Sequence, residues 1–320
     1  MQDLDRTILR TLAPAKINLT LEVLGKRPDG YHNLVSIVQT IDLVDDIFIM
    51  PSHKKEIRFL DHNGNTLPTP RNELIDQAWT ALSSVYNIDE CAAIIVVKRI
   101  PEAAGLGGGS SDAAAFLRLA SHWWNIGLEN NQYTDKFLKI ASKIGSDVSL
   151  FLTGGTMLIA NRGDQITPLD GKINTREPLV AALFLPKIPH LKEKTATMFA
   201  GLQPSHYSDG TRTKQFFDKL SHGASVPNAL LSAQPINTFT EIADNILVGL
   251  KSARDQLHEK FGRTPLLTGA GPCLFIPGEQ QVLIESIASL ADKYEGLWLV
   301  KGLPDNLTQN VWETNQKSVP

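Results

Sequence analysis

Pro101-Glu102-Ala103-Ala104-Gly105-Leu106-Gly107-Gly108-Gly109-Ser110-Ser111-Asp112-Ala113-Ala114-Ala115 is the stretch around which the chain is organised. Gly105, Gly107, Gly108 and Gly109 run into Ser110, Ser111 and Asp112, residue types that start helices. After them Phe116, Leu119, Ala120 and Trp123 recur at helical spacing. Before them Ala93-Ile94-Ile95-Val96-Val97 is rich in β-branched residues and predicts a strand. The order is strand, glycine loop, then a helix start capped by the paired serines. Glycines let a backbone turn at positive φ and bring its N–H groups close to a guest. The start of a helix adds unpaired donors and the positive end of the macrodipole, so the stretch predicts a phosphate site. It is not a P-loop, since no lysine precedes the serine. Nor is it a dinucleotide fingerprint, since Ser110 stands where the third glycine belongs.

Working outward, 320 residues give room for one large domain or two ordinary ones. A hydrophobic share of 42% and a net charge of −3 describe an ordinary globular protein. That balance offers no basic patch for nucleic acid or an anionic membrane. Cys91 and Cys273 cannot build a disulfide framework and lack metal-site spacing. The acidic, polar start at residues 1–6 has no signal-peptide pattern. The best apolar run, residues 179–185, has the size of a buried strand rather than a membrane span. A cytoplasmic location is the expectation.

Upstream of the glycine loop, residues 15–25 alternate. Ile17, Leu19, Leu21 and Val23 share one face, and Lys16, Asn18, Thr20 and Glu22 the other. This predicts a half-buried strand with Lys16 and Asn18 on its polar side. Arg27-Pro28-Asp29-Gly30 is turn chemistry leading into Tyr31-His32. Two further strands are predicted over residues 34–41 and 46–50, a hairpin tip at 61–65, and a helix over 72–86. Downstream, a helix over 134–144 ends at Gly145-Ser146-Asp147-Val148, where Asp147 could be a helix cap or a functional carboxylate. A β segment follows at 157–160, with a turn at Arg162-Gly163-Asp164. Composition resets near 175–178. Beyond it come a strand at 179–185, helices at 193–201, 212–221 and 241–261, and a glycine turn running into a strand at 266–277. A helix at 280–294 and a strand at 297–301 complete an α+β layer pattern. Residues 190–194 and 205–212 read as exposed loops, and the polar tail after Pro304 as mobile. The expected domains are 1–175 and 176–320.

Three separated segments, Pro14-Ala15-Lys16-Ile17-Asn18-Leu19, Gly105 to Ala114, and Leu267-Thr268-Gly269-Ala270-Gly271, resemble the three signature motifs of the GHMP small-molecule kinases. Arg27-Pro28-Asp29-Gly30-Tyr31-His32 and Gly145-Ser146-Asp147-Val148 bring the resemblance to the branch acting on 4-diphosphocytidyl-2-C-methylerythritol in non-mevalonate isoprenoid synthesis. It implies a ribosomal-protein-S5-like N-terminal domain, a ferredoxin-like C-terminal domain and a site in the cleft between them. It also implies phosphorylation of an alcohol by ATP with Mg²⁺, on a small-molecule substrate carrying a cytidine diphosphate group, by a monomer or homodimer. Matched motif to motif, Lys16 and Asp147 are the catalytic pair. Pro101, Ala104, Gly105, Leu106, Gly107, Gly108, Gly109, Ser110 and Ser111 hold ATP, with Ser110 or Ser111 a candidate Mg²⁺ ligand. Asn18, Tyr31, His32, Thr195, Phe199, Gly269 and Gly271 hold the substrate. Another alcohol, such as homoserine or a mevalonate derivative, and nucleotide binding without catalysis are the alternatives. The sequence departs from the family pattern at Ala103 (commonly glycine), Ser149 (proline), Thr238 and Thr240 (acidic residues) and Ala270 (serine).

Overall fold

The structure, a computed structural model, describes residues 7–319 except 71–72, 130–131, 170, 175–176, 233–235, 305–309 and 315–318. The first part contains β1 (Ile8–Lys26), β2 (His32–Pro51), β3 (Glu56–Leu60), β4 (Thr66–Leu67), α1 (Leu74–Tyr86), β5 (Ala92–Val97) and α2 (Gly108–Trp123). The short pair β6 (Leu128–Glu129) and β7 (Gln132–Tyr133) leads to α3 (Asp135–Ile144), α4 (Ser146–Thr153), β8 (Thr156–Asn161) and β9 (Gln165–Pro168). The second part contains β10 (Val180–Pro186), α5 (Lys194–Ala200), α6 (Thr211–Ser221), α7 (Val226–Ser232), α8 (Phe239–Ile246) and α9 (Leu250–Phe261). It ends with β11 (Leu266–Leu267), β12 (Leu274–Pro277), α10 (Gln280–Ala288), β13 (Tyr294–Lys301) and β14 (Trp312–Thr314).

Two sheets result. The larger runs β14-β1-β2-β5-β3-β4, with β8 and β9 branching from β2; the smaller runs β11-β12-β10-β13 and is antiparallel. Helices α1 to α4 cover the larger sheet, where Trp79, Phe116, Phe137 and Phe151 share a core with Val38 and Ile47. Residues of β1 join the two sheets. Ile17 and Leu19 pack with Leu183 of β10 and Phe216 of α6, and Leu21 and Val23 pack with Phe184 and Phe239.

That covering corrects the half-solvated strand expected over residues 15–25. Lys16, Asn18, Thr20 and Glu22 are 6, 7, 2 and 1% exposed, because the second part lies over their face. The Glu22 carboxylate accepts the N–H of Thr213 (2.6 Å), and the chain at 236–238 bonds the backbone of Leu21. The two strands expected over 34–41 and 46–50 are one. Between them Asp42 and Asp45 accept backbone N–H groups from Lys301 (2.7 Å) and Ile100 (2.8 Å).

The helix expected over 241–261 is two, broken where Gly249 adopts φ +94. Helix α7 was not anticipated. The tail holds β14, whose Trp312, Glu313 and Thr314 pair with Arg10, Leu9 and Ile8. The expected domain boundary at 175/176 lies outside the described residues.

Candidate active site

The glycine loop differs from expectation in how the helix starts. Gly107, at φ +78, delivers the chain directly into α2 without a side-chain cap, so Ser110 and Ser111 lie inside the first turn. The first helical bond runs from Ser111 N–H to the Gly107 carbonyl (3.0 Å), leaving the earlier N–H groups without helical partners. Close packing explains why glycine is needed. A Cβ on Gly105 would stand 2.3 Å from the Thr268 carbonyl oxygen, and one on Gly107 2.8 Å from the Phe151 ring. A Cβ on Gly109 would meet nothing within 4 Å. Ala103 adopts φ +52, which accounts for glycine being common there.

A cavity of about 1890 Å³ brings most of the expected residues together. Lys16, Asn18, Tyr31, His32, Pro101, Ala104, Gly105, Gly107, Gly108, Gly109, Ser110, Asp147, Thr195, Phe199 and Gly269 all line it. Leu106, Ser111 and Gly271 do not reach its wall. Leu106 is 1% exposed in the core and contributes its carbonyl to the Lys16 N–H (2.9 Å). Ser111 is fully buried. Gly271 lies beneath Leu267 and shapes the turn through its N–H to the Thr268 carbonyl (2.9 Å).

Lys16 Nζ donates to Asn18 Oδ1 (2.7 Å), which also accepts the N–H of Gly269 (3.0 Å). Asn18 Nδ2 donates to Ser36 Oγ (2.8 Å). One amide thus fixes the lysine and the third glycine motif together. Burial pulls the Lys16 ammonium below its usual range, opposed by the charge of Asp147. Asp147 is the second residue of α4 and caps nothing; the N-cap is Gly145. It is a carboxylate on the cavity wall, close enough to Lys16 to act on it electrostatically.

At another part of the wall, the His32 and Phe199 rings lie 5.2 Å apart, and Phe199 meets Phe239 edge-on at 4.9 Å. The Tyr207 hydroxyl faces His32 Nε2 at 3.5 Å. Tyr31 is 59% exposed, with the Arg162 guanidinium 5.0 Å above its ring. Burial first, and Lys26 second, push the His32 imidazole below its ordinary pKa, favouring a neutral ring that both donates and accepts.

Two lysines on the wall escaped the sequence reading. Lys98 Nζ donates to Asp45 Oδ2 (2.5 Å) and Asp112 Oδ2 (2.6 Å) beside the start of α2. Burial would lower its pKa, but the carboxylates of Asp112 and Asp45 outweigh it and hold the ammonium charged. Lys194, placed by sequence in an exposed charged run, is 7% exposed and opens α5. Its Nζ donates to the Ala103 carbonyl (2.5 Å). Burial, then repulsion from Lys16, lowers its pKa to about 8. The available signal was its place directly before Thr195.

Residues 73–155 match the family described as GHMP kinases N terminal domain. The 4-diphosphocytidyl-2-C-methyl-D-erythritol kinase of Bacillus thuringiensis (strain Al Hakam) is 33% identical over 285 residues, covering 85% of this chain and 88% of its own length. That of Bacillus cereus (strain AH187) is 34% identical over 276 residues, covering 82% and 86%. A crystal structure of 4-(cytidine 5'-diphospho)-2C-methyl-D-erythritol kinase superposes with a TM-score of 0.73 at 25% identity, covering 92% of this chain and 99% of that one. Methanococcus jannaschii mevalonate kinase shares the fold, with a TM-score of 0.65 at 16% identity over 94% and 100% of the two chains. The glycine loop, the long β1 and the two-sheet α+β architecture therefore have a common origin: the chain belongs to the 4-diphosphocytidyl-2-C-methyl-D-erythritol kinase family of GHMP kinases.

Proposed function

We propose that the protein transfers the γ-phosphoryl group of ATP to the 2-hydroxyl of 4-diphosphocytidyl-2-C-methyl-D-erythritol, in the non-mevalonate isoprenoid pathway of the cytoplasm. The observation that carries this reading is one cavity walled by Lys16, Asp147, the glycine loop and the His32–Phe199 aromatic pair. Phosphoryl transfer is mostly positioning and charge neutralisation. The free N–H groups at the start of α2 cradle the ATP phosphates. Lys16, held in place by Asn18, sets a positive charge at the γ-phosphoryl oxygens. Asp147 accepts the hydroxyl proton as that oxygen bonds to phosphorus and the bond to ADP breaks. The neutral His32 reads the cytosine edge, while Phe199 and Tyr31 offer it flat apolar faces.

Mg²⁺ bound with ATP needs only one or two protein oxygens beside the phosphates. Ser110 and Asp112, both on the wall, fit that need: Asp112 Oδ1 has no hydrogen-bond partner, and burial, which pushes its carboxyl well above the usual range, would be offset by a cation. Ser111, which is off the wall, does not fit. The ion would supply neutralisation of the phosphate charge. ADP release measured with purified protein, ATP and Mg²⁺ across candidate alcohols tests the reading. Turnover of the cytidylyl alcohol far above homoserine and mevalonate is expected. Preference for either of the latter overturns it.

A further inference from the structure

Lys194 is a buried cation without a buried counter-ion. Among the described residues the only hydrogen bond from its ammonium goes to the neutral Ala103 carbonyl, and the charged group nearest in effect is Lys16, which repels it. The thiol of Cys273 also faces it, but burial raises that thiol's pKa to about 12 and keeps it neutral. An ammonium carries three donors, and burying a charge without a partner is costly. Lys16 and Lys194 thus face one cavity and repel each other there, with the Asp147 charge acting on Lys16. Such a site is completed by a guest with several negative charges.

The position of Lys194 selects which charges. Helix α5 carries Lys194 and Thr195 at its start and Phe199 one turn later, all on the cavity wall. The same short element therefore presents a ring tilted against His32 and, one turn before it, a cation close enough to Lys16 to be repelled by it, so that His32, Phe199, Lys194 and Lys16 form a connected line. A nucleoside diphosphate whose base lies at His32 and Phe199 must pass its phosphates along this line to bring an attached alcohol to Lys16 and Asp147. We propose that the Lys194 ammonium binds the diphosphate of the acceptor substrate and sets the preference for an alcohol that carries it. This rests on the cytidylyl reading above and adds a residue to it. The glycine loop serves the triphosphate of the donor, and Lys194 serves the acceptor.

Calorimetric titration of the wild-type protein, Lys194→Met and Lys194→Arg with cytidine 5'-diphosphate, cytidine and ADP tests the assignment, alongside steady-state kinetics. Methionine fills the buried path of the side chain without charge, and arginine keeps the charge. Loss of a charged hydrogen bond predicts that Lys194→Met loses about tenfold or more of the wild-type preference for cytidine diphosphate over cytidine. The acceptor KM should rise by a similar factor, while ADP affinity stays within about twofold and arginine restores most of the preference. A methionine variant with the wild-type ratio of the two affinities overturns the proposal. So does one that loses ADP affinity instead, since the ammonium would then serve the donor or merely brace the loop at Ala103. Wild-type protein that does not favour cytidine diphosphate over cytidine would sink the substrate reading itself, a distinct result.

Discussion

Two lysine clusters flank the glycine loop, and they are built on opposite principles. Lys98 is clamped between Asp45 and Asp112, and its pKa is raised. Lys16 and Lys194 touch only neutral oxygens, of Asn18 and Ala103, and their pKa values are lowered. All three side chains are largely buried. The first cluster is electrostatically closed and holds β2, the strand end at Lys98 and α2 together. The second is open: its two ammonium groups repel each other, with the Asp147 charge acting on Lys16. Burial of a lysine alone therefore says little about role; the presence or absence of a matching carboxylate separates scaffold from site.

The largest expected effect sharpens the open side. Asp147→Asn should lower kcat by roughly 10²- to 10⁴-fold, the range of a lost general base, with ATP binding retained. A kcat within a factor of about two of the parent would remove the base role, which is checked by steady-state ADP release together with ATP titration. On the closed side, Lys98→Met should destabilise the fold by about 3–5 kcal/mol, because it strands two buried carboxylates. Lys16→Met, by contrast, removes a charge already disfavoured by burial, and should abolish turnover with stability near or above wild type. Urea unfolding of both variants compares them directly; equal destabilisation would erase the distinction between the clusters.

Smaller effects follow on the nucleoside side. His32→Ala should raise the acceptor KM by about tenfold, the worth of one well-placed hydrogen bond, with little change in kcat or in KM for ATP. The open cluster should also respond to pH. Acceptor binding needs Lys194 protonated, so affinity for cytidine diphosphate should weaken as pH rises through about 8. Lys16, which repels Lys194, shares the wall with Lys26, Lys98, Lys143 and Arg162 and with Glu102, Asp112, Asp147, Asp164 and Glu193. The smallest effect concerns Ala103. Relieving its φ of +52 by Ala103→Gly should stabilise the protein by up to about 1 kcal/mol in a thermal melt, the strain relieved being partly offset by chain entropy.

The clusters also show what sequence alone carries. The glycine loop, the strand before it and the periodic helix α2 were legible, because each depends on local residue types; that Lys16 and Asp147 share one cavity followed from short motifs that resemble the family's. Lys194 was not, because Lys192-Glu193-Lys194 has the composition of a solvated run, and only the approach of α5 to Ala103 and Lys16 buries its last member. The polar face of β1 was misread for the same reason. Alternation reveals two faces of a strand, but not that a distant segment covers the polar one. Thr238 makes the point in miniature. It departs from the family's acidic residue, yet its hydroxyl accepts the N–H of Val23 (3.0 Å) within the covered region.

Strand β14 carries a consequence for handling the protein. It occupies the outer side of β1 opposite Ile8, Leu9 and Arg10, and Thr11 Oγ1 adds a bond to the Asn310 carbonyl (2.7 Å). Trimming the chain back to Pro304 would bare a row of donors and acceptors along the strand that bears Lys16 further on. Bared edges recruit copies of themselves. A shortened version would thus be prone to clump, and Trp312–Thr314 act as a sealing strip for the larger sheet.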